Sequence, residues 1–97
     1  MKELATIVLD GAEMTSLPAL HRYLAETLRF PDWYGANLDA LADCLAGIGC
    51  HTCLELHHVD AMRRGLGEER AQAVLELFAE IAAEPCSFRW VVCEDEP

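Results

Sequence analysis

Apolar residues recur along the chain with two different spacings, and these spacings predict alternating strands and helices. A β-rich apolar run at residues 4–9 ends at Asp10-Gly11 and predicts a first strand. Residues 53–57 and 87–93 have the same character and predict two further strands. Between the strands, apolar residues three or four positions apart predict helices. The predicted order is therefore strand, helices, strand, helix, strand.

The first two helices carry their own start signals. Thr15 or Ser16 can cap a helix that tolerates Pro18 in its first turn and ends before Pro31. Asn37 can cap a second, shorter helix that ends near Gly47. The core-facing stripe predicted for this short helix consists of Leu38, Leu41, Ala42 and Leu45.

The C-terminal half predicts one long helix over residues 68–83, which Pro85 stops. Its buried face comprises Ala71, Val74 and Phe78, followed by Ile81 or Ala82. Residues 59–67 are ambiguous, with Asp60 as a candidate cap for one short turn, and residues 94–97 are expected to fray.

Strands that are separated by helical crossovers predict a parallel sheet with right-handed connections. We therefore expect residues 1–97 to form a single α/β domain, a three-stranded parallel sheet with helices packed mainly on one face. Such a chain is long enough for one modest core and too short for two.

The charge balance is strongly acidic, with 7 Lys and Arg against 17 Asp and Glu and a net charge of −10. Phosphate and anionic lipid repel such a surface, which argues against nucleic acid and membranes as partners and favours a basic protein. The sequence contains no apolar run of about 20 residues. Met1-Lys2-Glu3 shows no secretion signal, so we expect a cytoplasmic location.

The sequence offers little catalytic chemistry. It has neither a G-x-S-x-G elbow nor a glycine-rich phosphate loop, so we expect no enzyme, no cofactor and no small-molecule substrate. The strongest competing motif is Cys50-His51-Thr52-Cys53 with His57 and His58 beyond it, which suggests a metal-binding or redox module. Against that module, the second cysteine falls on a predicted strand, where successive side chains point to opposite faces.

The loop before the short helix places two aromatic residues and a glycine turn beside two carboxylates. Trp33 and Tyr34 precede Gly35, and core packing is a plausible role for one of the two aromatics. Asp39 and Asp43 lie one helical turn apart on a face next to the apolar stripe. Like charges at this spacing cost an isolated helix about 0.2–0.5 kcal/mol, which suggests a surface built to meet positive charge.

Residues 31–41 (PDWYGANLDAL), residues 43–45 (DCL) and Gly47 resemble the barstar family, intracellular inhibitors of secreted bacterial ribonucleases. Further matches are Val74-Leu75, Phe78, Glu80 and Cys86, so the resemblance covers nearly the whole chain. The family's fold is a three-stranded parallel sheet with packed helices, in agreement with the periodicity.

The resemblance implies an inhibitory surface on the second helix, its preceding loop and one glutamate of the last helix. The partner-binding residues carried over in this way are Trp33, Gly35, Asn37, Leu38, Asp39, Ala42, Asp43, Gly47 and Glu80. In the family, the aspartate at the position of Asp43 enters the nuclease active site where a substrate phosphate would lie.

The chain departs from the family's type sequence at two positions, where Ala42 and Ile48 each replace a tryptophan. Interface energy concentrates in a few aromatic and charged residues, so these changes favour a different cognate nuclease. The resulting hypothesis is an immunity protein that plugs the active site of a basic ribonuclease toxin. The alternatives are the metal or redox module at Cys50 and Cys53, and an acidic interaction domain with a non-nuclease partner.

Overall fold

Three parallel strands form one sheet in the sequential order β1-β2-β3. The computed structural model describes residues 5–93 and contains β1 at Ala5–Asp10, β2 at Thr52–His57 and β3 at Arg89–Val92. Both neighbouring pairs are parallel, which confirms the predicted α/β class. The predicted strand start at Leu4 and the predicted frayed tail at residues 94–97 lie outside the described residues.

Helices make all the connections between these strands. A short 3-10 helix at Gly11–Glu13 leads from β1 into α1 at Leu17–Thr27, and α2 follows at Leu38–Ala46. After β2, α3 occupies Val59–Leu66 and α4 occupies Glu68–Ala82. Within residues 5–93, none of these helices is long and apolar enough to cross a membrane.

The helices pack mainly on one face of the sheet, as predicted. Strand alternation and register direct one set of side chains towards the helices: Ile7, Leu9, Leu54, Leu56, Trp90 and Val92. Against this set pack the buried helix residues, among them Leu24 of α1, Leu41 of α2 and Phe78 of α4, whose ring stacks on Trp90 at 4.5 Å. On the opposite face, Val8 and Val91 are 52% and 42% exposed.

The segment that the sequence left ambiguous is a two-turn helix, α3, rather than a single capped turn. Asp60 does not cap it, because the N-cap position belongs to His58, which has a left-handed backbone (φ 58°) and makes no side-chain cap bond. Asp60 lies in the first turn, where its Oδ1 is 3.6 Å from Nη1 of Arg63. Gly67, at φ 91°, then separates α3 from α4, a conformation that glycine adopts without a Cβ penalty.

Candidate functional site

The two adjacent aromatic residues of the loop before α2 have opposite environments. Trp33 is 69% exposed, whereas Tyr34 is partly buried and packs against the hydrophobic core. The expectation that core packing accounts for one of the two aromatics agrees with this arrangement. Trp33 therefore presents a large apolar surface to solvent, of the kind that anchors protein interfaces.

Tyr34 fixes the loop to the body of the molecule. Its ring lies 4.8 Å from that of Phe30, and its hydroxyl lies 2.5 Å from Nδ1 of His21, which is buried in α1. Burial, with a smaller contribution from Cys44, raises the pKa of Tyr34 to about 12, and burial lowers the pKa of His21. Both groups are therefore neutral near pH 7, and one hydrogen bond joins the tyrosine hydroxyl to Nδ1, with its direction set by the imidazole tautomer.

A side-chain cap fixes the start of α2. Asn37 Oδ1 accepts a hydrogen bond from the amide of Ala40 at 2.8 Å, as its type and position predicted. Asn37 Nδ2 also donates to the carbonyl of Gly35 at 3.4 Å. The left-handed residue of this turn is Ala36, at φ 53°, rather than the glycine before it.

Asp39 and Asp43 are both exposed on α2. Among residues 5–93, neither carboxylate takes part in an ion pair or a side-chain hydrogen bond. Asp39 lies in the first helical turn, where the helix dipole stabilises negative charge, but Asp43 lies beyond that turn. The adjacent Cys44 thiol has a raised pKa, first because of burial and second because of the Asp43 charge.

The apolar stripe predicted for α2 is only partly correct. Leu41 and Leu45 are fully buried and Ala42 is half-buried, but Leu38 is 42% exposed. Leu38 occupies the first position of the helix, and there its side chain lies at the rim of the core rather than within it. It lines a cavity of about 590 Å³ together with Asn37 and with Arg70 and Ala73 of α4.

Three of the residues implied by the family resemblance line one surface depression. Trp33 from the loop, Asp43 from α2 and Gly47 from the C-cap of that helix border a hollow of about 430 Å³. Arg29 and Ile48 line the same hollow. An exposed indole and an exposed carboxylate thus lie at one concave patch, which we call the Trp33 hollow and whose lining includes Arg29, Trp33, Asp43, Gly47 and Ile48.

The remaining residues implied by the resemblance lie outside the Trp33 hollow. Asn37 and Leu38 line the other cavity, and Gly35 and Asp39 are exposed near the helix start. Glu80 is exposed on α4, a helix that packs against α2, and it lines neither of these two cavities. Glu80 thus adds an exposed carboxylate on a second element.

Sequence reasoning missed two cations next to this surface: Arg29 lines the Trp33 hollow, and Arg70 lines the other cavity together with Leu38. Neither belongs to a motif. Arg70 is 32 positions away from Leu38, so its proximity depends on the packing of α4 against α2.

The cysteine motif does not form a ligand set. Cys50 is exposed in a loop, whereas Cys53 is buried on β2. In the part of the chain that the structure describes, neither belongs to a group of three side chains whose ligand atoms lie close enough to hold a metal ion.

Comparisons with known proteins agree with this architecture. The family model described as "Barstar (barnase inhibitor)" matches residues 4–93. A Bacillus subtilis (strain 168) protein named "Putative ribonuclease inhibitor YrdF" is 39% identical over 79 residues, which cover 80% of this chain and 86% of that protein. The matching family consists of inhibitors rather than enzymes, which confirms the prediction that the chain is not an enzyme. The chain belongs to the barstar (barnase inhibitor) family.

Proposed function

We propose that this protein is an intracellular inhibitor of a basic ribonuclease, and that it acts as the immunity protein against that toxin. Membership of an inhibitor family and similarity to a protein named as a ribonuclease inhibitor support the inhibitory role. The net charge of −10 suits a partner whose active site is built from cations that bind RNA phosphates. Cytoplasmic location is part of this proposal, since an immunity protein protects the cell that produces the toxin.

The single observation that carries the mechanism is the exposed carboxylate of Asp43, which has no partner among residues 5–93 and lines the Trp33 hollow together with the exposed Trp33. A carboxylate without an internal partner needs no rearrangement to meet a cation of the partner. The Asn37 cap and the bond between Tyr34 and His21 hold the helix and the loop in place before binding. Such preorganisation lowers the entropy cost of association.

In the proposed complex, α2 enters the nuclease active site and Asp43 takes the place of a substrate phosphate. The cations that bind RNA then bind this carboxylate, and the body of the inhibitor excludes the substrate. Asp39 and Glu80 extend the negative surface around this point, while Gly35, Asn37, Leu38, Ala42 and Gly47 shape the contact. The mechanism needs no cofactor and no covalent step.

The test is a titration of ribonuclease activity with the purified protein, using barnase and other small basic bacterial ribonucleases. We expect stoichiometric inhibition of at least one of them. Asp43→Ala should weaken the binding of that nuclease by about 2–5 kcal/mol, or roughly 30-fold or more. Losses of this size are typical when one partner of a buried charge pair is truncated, and the barnase–barstar complex of the same family is the standard example.

Asp60→Ala is the matched control, because it removes one exposed carboxylate from α3, outside the proposed surface. Its inhibition should match that of the unmodified protein. Equal losses of affinity in Asp43→Ala and Asp60→Ala would mean that only the net charge of the protein contributes to binding. Equal affinity of the Asp43→Ala variant and the unmodified protein would remove phosphate mimicry. If the protein inhibits none of these ribonucleases but binds another basic protein, it is an acidic interaction domain with a non-nuclease partner.

A further inference from the structure

Three side chains with three different metal-binding atoms converge on the open face of the sheet, away from α2. Glu55 and His57 lie on β2, and Cys93 follows β3 directly. The carboxylate oxygen, imidazole nitrogen and thiol sulfur all lie within 4.8 Å of one another. All three residues are partly buried, so the cluster is accessible without being fully solvated.

The sheet register produces this convergence. Positions 55 and 57 are two apart on one strand, so both side chains point to the same face. The amide of Cys93 donates to the carbonyl of Leu56 at 2.8 Å, which continues the parallel ladder and places Cys93 beside His57. The helices found within residues 5–93 cover the other face of the sheet, so none of them lies over this cluster.

We propose that Glu55, His57 and Cys93 form a binding site for Zn²⁺. Sulfur, imidazole and carboxylate together suit a borderline-soft ion, whereas Mg²⁺ and Ca²⁺ take oxygen ligands. A tetrahedral zinc ion with its usual bond lengths separates its ligand atoms by about 3.3–3.8 Å, so small side-chain rotations suffice to close the site.

The contact between His57 Nε2 and Glu55 Oε1, at 3.2 Å, has a simpler explanation as a histidine–carboxylate pair. Such a pair needs no third partner, and a thiol adds little to it. The position of Cys93 beside both groups is what favours a metal ion. Three protein ligands leave the fourth position of the ion to water or to a group from another molecule.

This site goes beyond the expectation of no cofactor, and it is distinct from the alternative centred on Cys50 and Cys53. Cys53 lies on the same face of β2 but is in register with Arg89 rather than with Cys93. The sequence motif and the proposed site therefore share β2 but use different cysteines. A metal ion bound at the new site would join β2 to β3, the four-residue strand at the edge of the sheet.

The experiment is a titration of the reduced, metal-free protein with ZnCl₂ by calorimetry, together with CoCl₂ and absorption spectroscopy. We expect one Zn²⁺ per chain, a rise in melting temperature on binding, and a thiolate-to-cobalt charge-transfer band. Cys93→Ser and His57→Gln should each weaken zinc binding about tenfold or more and abolish the thermal shift, and the serine variant should also lose the cobalt band.

Matched controls are Cys86→Ser and His51→Gln, which change one exposed residue of each type elsewhere. Both controls should keep the affinity, the band and the thermal shift. The double variant Cys50→Ser, Cys53→Ser should also bind zinc as before. Loss of binding in that double variant but not in Cys93→Ser would overturn the assignment, as would the absence of stoichiometric binding. Circular dichroism of each variant without metal distinguishes loss of the site from loss of the fold.

Discussion

At Ala36 an alanine occupies the left-handed backbone region, at φ 53°, directly before the Asn37 cap. A Cβ in this region costs about 1 kcal/mol or more relative to glycine. The residue before it, Gly35, has no such backbone requirement. The turn that presents Trp33 and starts α2 therefore carries local strain at one residue.

Ala36→Gly should stabilise the protein by up to about 1 kcal/mol, because the strain at φ 53° exceeds the entropy that glycine adds to the unfolded chain. For a domain of this size that is a rise in melting temperature of about 4–8 °C, measurable by calorimetry. Ala79→Gly on the exposed side of α4 is the control and should destabilise by about 1 kcal/mol. A loss of stability in both variants would show that Ala36 is not strained.

At the level of elements, α2 has only nine residues, and isolated helices of this length are marginal. Two supports hold it, the buried pair Leu41 and Leu45 and the cap provided by Asn37. The aspartates of the proposed inhibitory surface depend on both supports, because neither contributes to the core.

Asn37→Ala removes the hydrogen bond from the Ala40 amide to the cap, so we expect a loss of about 1 kcal/mol in the free energy of unfolding. Asn37→Ser retains a capping oxygen and should recover most of that stability. Urea denaturation of the three proteins measures the difference. A serine variant as unstable as the alanine variant would contradict a capping role.

The loop before α2 depends on the neutral form of His21. Burial lowers the pKa of His21 below 6.5, so just below that pH the unfolded chain binds a proton that the folded chain does not. The contribution of this pKa difference to the free energy of unfolding is fully present above about pH 6.5. It decreases as the pH falls from there towards the lowered pKa. In the protonated imidazole both nitrogens are donors, so Nδ1 can then only donate to the Tyr34 oxygen.

We therefore expect the urea midpoint to fall between pH 7.5 and pH 5.5, and His21→Gln to reduce this dependence. His51→Gln, which changes an exposed histidine, should keep the full dependence. If the urea midpoint of both variants changes with pH as steeply as that of the unmodified protein, the pH dependence has another origin, such as the carboxylates.

For the whole molecule, the net charge of −10 acts over longer distances than any single contact. Exposed acidic residues occur both on α2 and on α4, where Glu80 lies on the outer side of the helix. A basic nuclease that approaches this surface is attracted before the surfaces touch.

Association with the nuclease should accelerate as the ionic strength falls, because the Debye length grows from about 10 Å at 0.1 M salt to about 30 Å at 0.01 M. Dissociation should change less, since contacts already formed are less screened. Stopped-flow mixing across this salt range gives both rates. If the association rate does not depend on salt, the acidic surface contributes to solubility and not to the attraction of the nuclease.

Local signals were sufficient wherever neighbouring residues decide the structure. The caps at Ser16 and Asn37, the three strands and the buried stripe of α4 were all predictable, because each depends on side chains within one or two turns or on simple alternation. The same local signals supported the parallel order, since helical crossovers leave few other arrangements. The family resemblance then supplied the proposed surface, including Asp39 and Asp43.

Tertiary packing decided what periodicity left open. Leu38 and Leu41 belong to one apolar stripe, yet only Leu41 reaches the core, because the first turn of α2 lies at its rim. Trp33 and Tyr34 are sequence neighbours of similar type, and the contact with His21, 13 positions away, decides which is buried. The meeting of His57 with Cys93 depends on strand register, which no local pattern specifies. Sequence thus determined the strands, the other three α-helices and their order but not α3, and only the folded chain determined which side chains share a surface.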